Sequence, residues 1–144
     1  MEKHEVREEG TGADYKLLSH LFFRLLPYQV LLCAIAFFEG HGIDHRRALF
    51  AGVAMEEIAG NVVLHGFKRD RKKHHSVDIR AIHKDEEIIL RIRDDCVPFD
   101  PSTRAQLFDE KDPGKNAGIR TVFNIARHVR YQNLLGLNVL TITI

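Results

Sequence analysis

Cysteine is scarce in this chain. Among its 144 residues only Cys33 and Cys96 occur, and their separation matches no zinc-binding spacing. A secreted fold stapled by disulfides usually carries more, so a disulfide scaffold is excluded. One-sided charge is also missing: the formal net charge is +1, which removes any global electrostatic pull toward nucleic acid or a membrane surface. No unbroken apolar run reaches the ~20 residues of a spanning helix. The nearest approach, residues 21–38, is interrupted by Arg24, Pro27 and Gln29, and no membrane span is expected. Nor is that segment a signal peptide, because the acidic, polar residues 1–14 precede it. The nine histidines are scattered, and His74-His75 lies in a basic run rather than at helical ligand spacing, which argues against a structural metal site.

What is present suffices for one domain. At 44% hydrophobic residues a chain of this size buries a real core. Its most informative stretch is Ala54-Met55-Glu56-Glu57-Ile58-Ala59-Gly60-Asn61-Val62-Val63-Leu64-His65-Gly66. Helix neighbours lie three and four apart, so Phe50, Ala54, Glu57, Asn61 and His65 form a line that starts apolar and becomes a carboxylate, an amide and an imidazole. A buried polar line needs partners or a ligand. Two more stations follow: Ile92-Arg93-Asp94-Asp95-Cys96-Val97-Pro98-Phe99-Asp100-Pro101 after a strand pattern, and Asp112-Pro113-Gly114-Lys115-Asn116-Ala117-Gly118-Ile119-Arg120 opening a helix pattern. Three such stations in one small domain point to a nucleotide pocket.

The remaining pattern supplies a frame. Residues 1–14 read as a polar tail. A helix is expected over residues 28–40, packing on the station-bearing helix; an exposed apolar face there would serve a partner or a homodimer, and both readings stand at this point. Asp44 is the expected N-cap of a helix over residues 45–65, ended by Gly66. Val77, Ile79 and Ala81 alternate, as do Ile88, Leu90 and Ile92, so residues 76–93 form an antiparallel hairpin turning at Lys84-Asp85-Glu86. Residues 96–117 have little periodicity, which fits a ligand lid. Ile119, Val122, Phe123, Ala126 and Val129 then give a helical stripe, and two final strands flank Leu135-Gly136. The fold class expected is α/β (α+β): a two-layer sandwich of a mixed, mostly antiparallel sheet covered by helices on one face.

Glu57-x-x-x-Asn61 in a helix, Asp94 with Phe99-Asp100-Pro101 after a strand, and a glycine-bearing turn into a helix resemble the GHKL ATPase superfamily, in particular the compact anti-sigma-factor serine kinases of bacteria. The likeness spans residues 42–144, within a single domain of residues 15–144, and implies the Bergerat ATP-binding fold. It implies that Asn61 holds Mg2+ beside the phosphates of ATP and that Glu57 is the catalytic base. It implies that Asp94 accepts a hydrogen bond from the adenine amino group. Nucleotide contacts are expected from His65, Cys96, Pro98, Phe99, Gly114, Lys115, Asn116, Ala117, Gly118, Ile119 and, through water, Thr141; Lys115 or Arg120 would add charge at the terminal phosphate. The turn is not a P-loop, since the Gly-x-x-x-x-Gly-Lys-Ser/Thr order is absent. Cys96 stands where the family's Asp-x-Gly motif has its glycine, and Asn116-Ala117 replace part of a glycine-richer box.

The resemblance implies a cytoplasmic protein serine kinase that transfers phosphate from MgATP to a partner such as a sigma factor or an anti-sigma antagonist. The alternatives are a non-catalytic, nucleotide-gated interaction module and the C-terminal ATPase domain of a larger signalling protein. Nucleic-acid binding through Lys68, Arg69, Arg71, Lys72, Lys73, His74 and His75 is disfavoured, because that run lacks interleaved aromatics and a reader motif.

Overall fold

The computed structural model describes residues 14–19, 26–67 and 75–144. The expected tail up to residue 13 and most of the basic run fall outside them, while Asp14, the last residue of that tail, opens a strand. Strand β1 (Asp14–Ser19) precedes helix α1 (Leu26–Gly40) and helix α2 (His45–Asn61), whose end runs into a π-helical turn (Val62–Gly66). Strands β2 (Val77–Lys84) and β3 (Glu87–Asp94) follow. A short helix α3 (Ser102–Ala105), helix α4 (Ala117–Ile125) and strands β4 (His128–Leu134) and β5 (Leu137–Thr143) complete the order. The sheet runs β1-β2-β3-β5-β4, antiparallel at every pairing rather than mixed.

Local chemistry accounts for the boundaries. Asp44, extended at φ −62 and ψ 152, caps α2 by accepting from the Arg47 N–H at 3.1 Å. Both hairpins close on two residues with positive φ, Asp85-Glu86 and Leu135-Gly136, the signature of turns whose twist matches that of the strands. Strand parity then sorts the side chains. Val77, Ile79, Ala81, Ile88, Leu90, Ile92, Leu140 and Ile142 are buried under the helices, whereas Asp78, Arg80 and Arg93 form ion pairs on the other face.

The helix layer seals the core. Val30, Ala34 and Phe38 of α1 and Ala51, Met55, Ile58 and Ala59 of α2 join it. The two helices cross closely at Gly52, where an added Cβ would come within 2.9 Å of Ile35 Cγ1 and 3.0 Å of the Leu31 carbonyl oxygen. By length and composition the helix over His45–Gly66 is apolar enough to cross a membrane, yet half of it is buried, as a core helix is. Tyr28 and Leu32 of α1 stay exposed beyond that packing.

Two further sequence expectations change. The helical stripe does not reach Val129: α4 ends at Ile125 and Val129 is a β4 residue paired with Ile142. The spacing of Val129 also suits an alternating strand, and pairing with β5 decided between the two. The expected single helix to His65 gives way at Val62 to the wider π turn, where the Phe67 N–H donates to the Val62 carbonyl.

Candidate functional site

Between α2, the end of β3 and the start of α4 lies a cavity of about 520 Å³. That is within the ~300–1,000 Å³ usual for small-molecule sites. Helix spacing aims Glu57 and Asn61 into it, one turn apart, and His65 and Gly66 of the π turn line it beside them. Such turns recur at functional sites because they alter which residues a helix presents.

Asp94, the last residue of β3, is buried on the cavity wall. Its carboxylate is held from one side. Oδ1 accepts from the Asn138 side-chain amide at 2.9 Å and from the Cys96 N–H at 3.0 Å, while Oδ2 has no hydrogen-bond partner among the described residues. Asn138 is pinned in turn: its Nδ2 also donates to the Cys96 carbonyl at 3.1 Å, and its Oδ1 accepts from the Tyr131 hydroxyl at 2.6 Å and Asn133 Nδ2 at 3.2 Å. Register makes this network possible, because Asp94 and Asn138 are direct partners across β3 and β5.

The third wall is the turn into α4. Asn116 has φ +60, a left-handed conformation that asparagine tolerates better than most residues. Ala117 donates to the Gly114 carbonyl and Arg120 to the Asn116 carbonyl, which leaves the N–H groups of Gly118 and Ile119 without an acceptor among the described residues. The Glu57 carboxylate lies directly against Gly118, where an added Cβ would meet its Cδ at 2.6 Å. The absence of a side chain at Gly118 is what lets the carboxylate take this position. Burial raises the Glu57 carboxyl above its ordinary pKa, and the neighbouring Glu56 carboxylate adds to the rise.

The cavity thus gathers Glu57, Asn61, His65, Asp94, Cys96, Pro98, Phe99, Gly114, Lys115, Asn116, Ala117, Gly118 and Ile119. Thr141 is not among the lining residues. On β5 the buried residues are Asn138, Leu140 and Ile142, so Thr141 belongs to the opposite parity, paired with Arg91 and Arg130. Asn138 holds the place at the cavity instead, and the alternation of β5 was the signal that would have found it. Arg120 also departs from expectation. Its guanidinium donates to the carbonyls of Leu107, Lys115 and Pro113 at 3.1, 2.8 and 2.8 Å and lies over the Phe108 ring, so it clasps the segment before α4 rather than facing the cavity. Phe99 lines the cavity half-exposed with Arg104 over its ring. Cys96 carries no positive φ, so the backbone at that position does not demand the glycine of the motif.

The sequence profile of the histidine kinase-like ATPase domain matches residues 28–144. A search of curated proteins returns no significant match. Among solved structures, the chain resembles the histidine kinase domain of the blue-light-activated histidine kinase of Erythrobacter litoralis EL346 with TM-score 0.54 at 17% identity. That match covers 83% of this chain but only 60% of the other. It also resembles a chain of the SiaB–SiaC complex of Pseudomonas aeruginosa, with TM-score 0.58 at 7% identity, covering 88% of this chain and 87% of that one. At such identities the likeness is one of fold, an antiparallel sheet under helices as in GHKL-like ATPase domains.

Proposed function

Because the chain belongs to the histidine kinase-like ATPase domain family, we propose that its cavity takes MgATP and that the protein is a serine kinase acting on a partner protein, as in anti-sigma-factor kinases. One observation carries the transfer reading: the Glu57 carboxylate, a proton acceptor of raised basicity, lies against the open amides at the head of α4. Free amides and the helix dipole at such an end favour phosphate. The cavity fits the nucleotide. Asp94 Oδ2 is an acceptor suited to an exocyclic amino group, and an unmatched base would leave it unpaired. The Asn61 amide oxygen would hold magnesium, a hard cation that prefers oxygen ligands and keeps several waters. When bound, MgATP supplies the phosphoryl group and the charge that draws the phosphates to α4. Glu57 takes the proton from the attacking serine hydroxyl as its oxygen bonds to phosphorus and the bond to ADP breaks.

A protein partner, a sigma factor or its antagonist, belongs to this reading, and the likeness to a chain found in a two-protein complex supports it. One ATP-binding domain over residues 15–144 and a cytoplasmic location, where ATP is at hand, complete the proposal. The test is a radiolabelled-ATP assay against partner proteins encoded beside this chain, run next to calorimetry. Glu57→Gln should keep nucleotide affinity within a few fold and lower transfer by ~10²–10⁴, the usual worth of a general base. Equal labelling by both proteins removes Glu57 from the mechanism. Nucleotide binding with no labelling by either leaves the non-catalytic module.

A further inference from the structure

Antiparallel pairing of β2 with β3 puts Val77 opposite Asp94, so the residues before Val77 and after Asp94 run side by side. Three unlike ligand types meet there. A ring nitrogen of His75, a carboxylate oxygen of Asp95 and Cys96 Sγ all lie within 4.8 Å of one another. The His75 side chain is only 8% exposed, and its ring stacks on Phe67 with centroids 5.0 Å apart and planes 14° from parallel. Asp95 is oriented by the Ser76 N–H, 3.0 Å from Oδ1, and Cys96 is buried with its N–H on Asp94.

The spacing is informative. His75 Nδ1 and Asp95 Oδ1 are 3.6 Å apart, too far for a hydrogen bond. Bonds near 2.0–2.1 Å in a tetrahedral zinc site set nitrogen and oxygen ligands about 3.3 Å from each other. Closing the sulfur onto the same centre needs a shift of roughly one ångström. A thiolate, an imidazole and a carboxylate together suit a borderline-soft cation rather than magnesium, which favours oxygen alone.

We propose that His75, Asp95 and Cys96 form a binding site for a divalent cation of zinc type, with water in the fourth position. The site gives the departure at Cys96 a use: the side chain that replaces the motif glycine is the soft ligand. It does not rest on the nucleotide reading, although Cys96 also lines the cavity, and it is tested without nucleotide.

The experiment titrates the untagged full chain with Co2+ and follows the absorption spectrum, then displaces the cobalt with Zn2+ in a calorimeter. One equivalent should give a thiolate-to-cobalt charge-transfer band in the near ultraviolet with tetrahedral d–d bands in the visible. Cys96→Ser should abolish the charge-transfer band and Cys33→Ser should keep it. His75→Gln and Asp95→Asn should each weaken binding by at least the roughly 10–100-fold that even outer-shell changes cost. Circular dichroism and thermal melting of each variant establish that it is folded, and His75→Gln and Asp95→Asn decide the matter if Cys96→Ser does not fold. The proposal is overturned by d–d bands without charge transfer, which signify scattered histidines, by no spectral change at all, or by unaltered affinity in the His75 and Asp95 variants.

Discussion

As the proposed base, Glu57 lies under two opposed demands, since a base must be charged to act and burial resists that charge. Its folded-state pKa stands above the unfolded one, so its stabilising contribution is complete below the unfolded value and is lost as pH rises through the raised value. Glu57→Gln escapes that loss. Its melting temperature relative to wild type should therefore be higher at about pH 8 than at about pH 4, on either side of the carboxylate range; a pH-independent difference would contradict the raised value. Gly118 makes a complementary case. Its backbone is compatible with a helix, and alanine is worth up to ~1 kcal/mol more than glycine there. Gly118→Ala should melt no lower than wild type yet transfer phosphate poorly, because the new methyl displaces the Glu57 carboxylate. Asp94→Asn keeps an oxygen for Asn138 and offers the base a donor where it needs an acceptor. Calorimetry should show ADP binding weakened by ~1–3 kcal/mol, with affinity for the unchanged phosphates surviving.

At the scale of elements the lid is the part most open to test. Residues 106–116 carry little regular structure, and Arg120 ties them to α4 through three carbonyls and the Phe108 ring. A guanidinium spans such a set because its donors form a rigid fork. Arg120→Lys retains the charge and loses the fork. Trypsin should then cut at Lys111 several-fold faster in the free variant than in the free wild type; equal rates would mean the clasp does not hold the lid. Residues 96–117 were legible as a largely irregular connection from their aperiodicity and prolines, but the tie was not. Arg120 is separated from Leu107 by thirteen residues, and no local pattern reports which carbonyls a long side chain will reach.

For the molecule as a whole, the proposed nucleotide would be a ligand of the folded state alone and should stabilise it by mass action. At one hundred times its Kd, MgADP should contribute ~2.7 kcal/mol, which for a domain of this size raises the melting temperature by roughly 5–10 °C. Chelating magnesium should remove much of the shift in wild type and little in Asn61→Ala, where the proposed anchor of the metal is already gone. An Asn61 variant that responds to chelation as wild type does would detach Asn61 from the metal. The frame that carries these residues is antiparallel throughout, so the three walls of the cavity come from α2, the β3–β5 pair and α4, which are brought together by long-range pairing.

Period and punctuation determined much of this before any tertiary contact. The cap at Asp44, the β2–β3 hairpin, the turn at Leu135-Gly136 and the helical face bearing Glu57 and Asn61 follow from neighbours within a few residues, where a sequence pattern and its geometry coincide. Tertiary structure alone decided that Val129 pairs in a strand and that α2 widens at Val62. It also decided that Asn138 rather than Thr141 meets the cavity and that Arg120 turns to the lid. His75, Asp95 and Cys96 show the same limit most plainly. Their spacing in the chain resembles no metal motif, and they converge only because β2 and β3 pair in a register that sets the start of one beside the end of the other. Local periodicity states which face a side chain takes; the partner across the sheet, and hence the chemistry that results, depends on contacts between residues far apart in the chain.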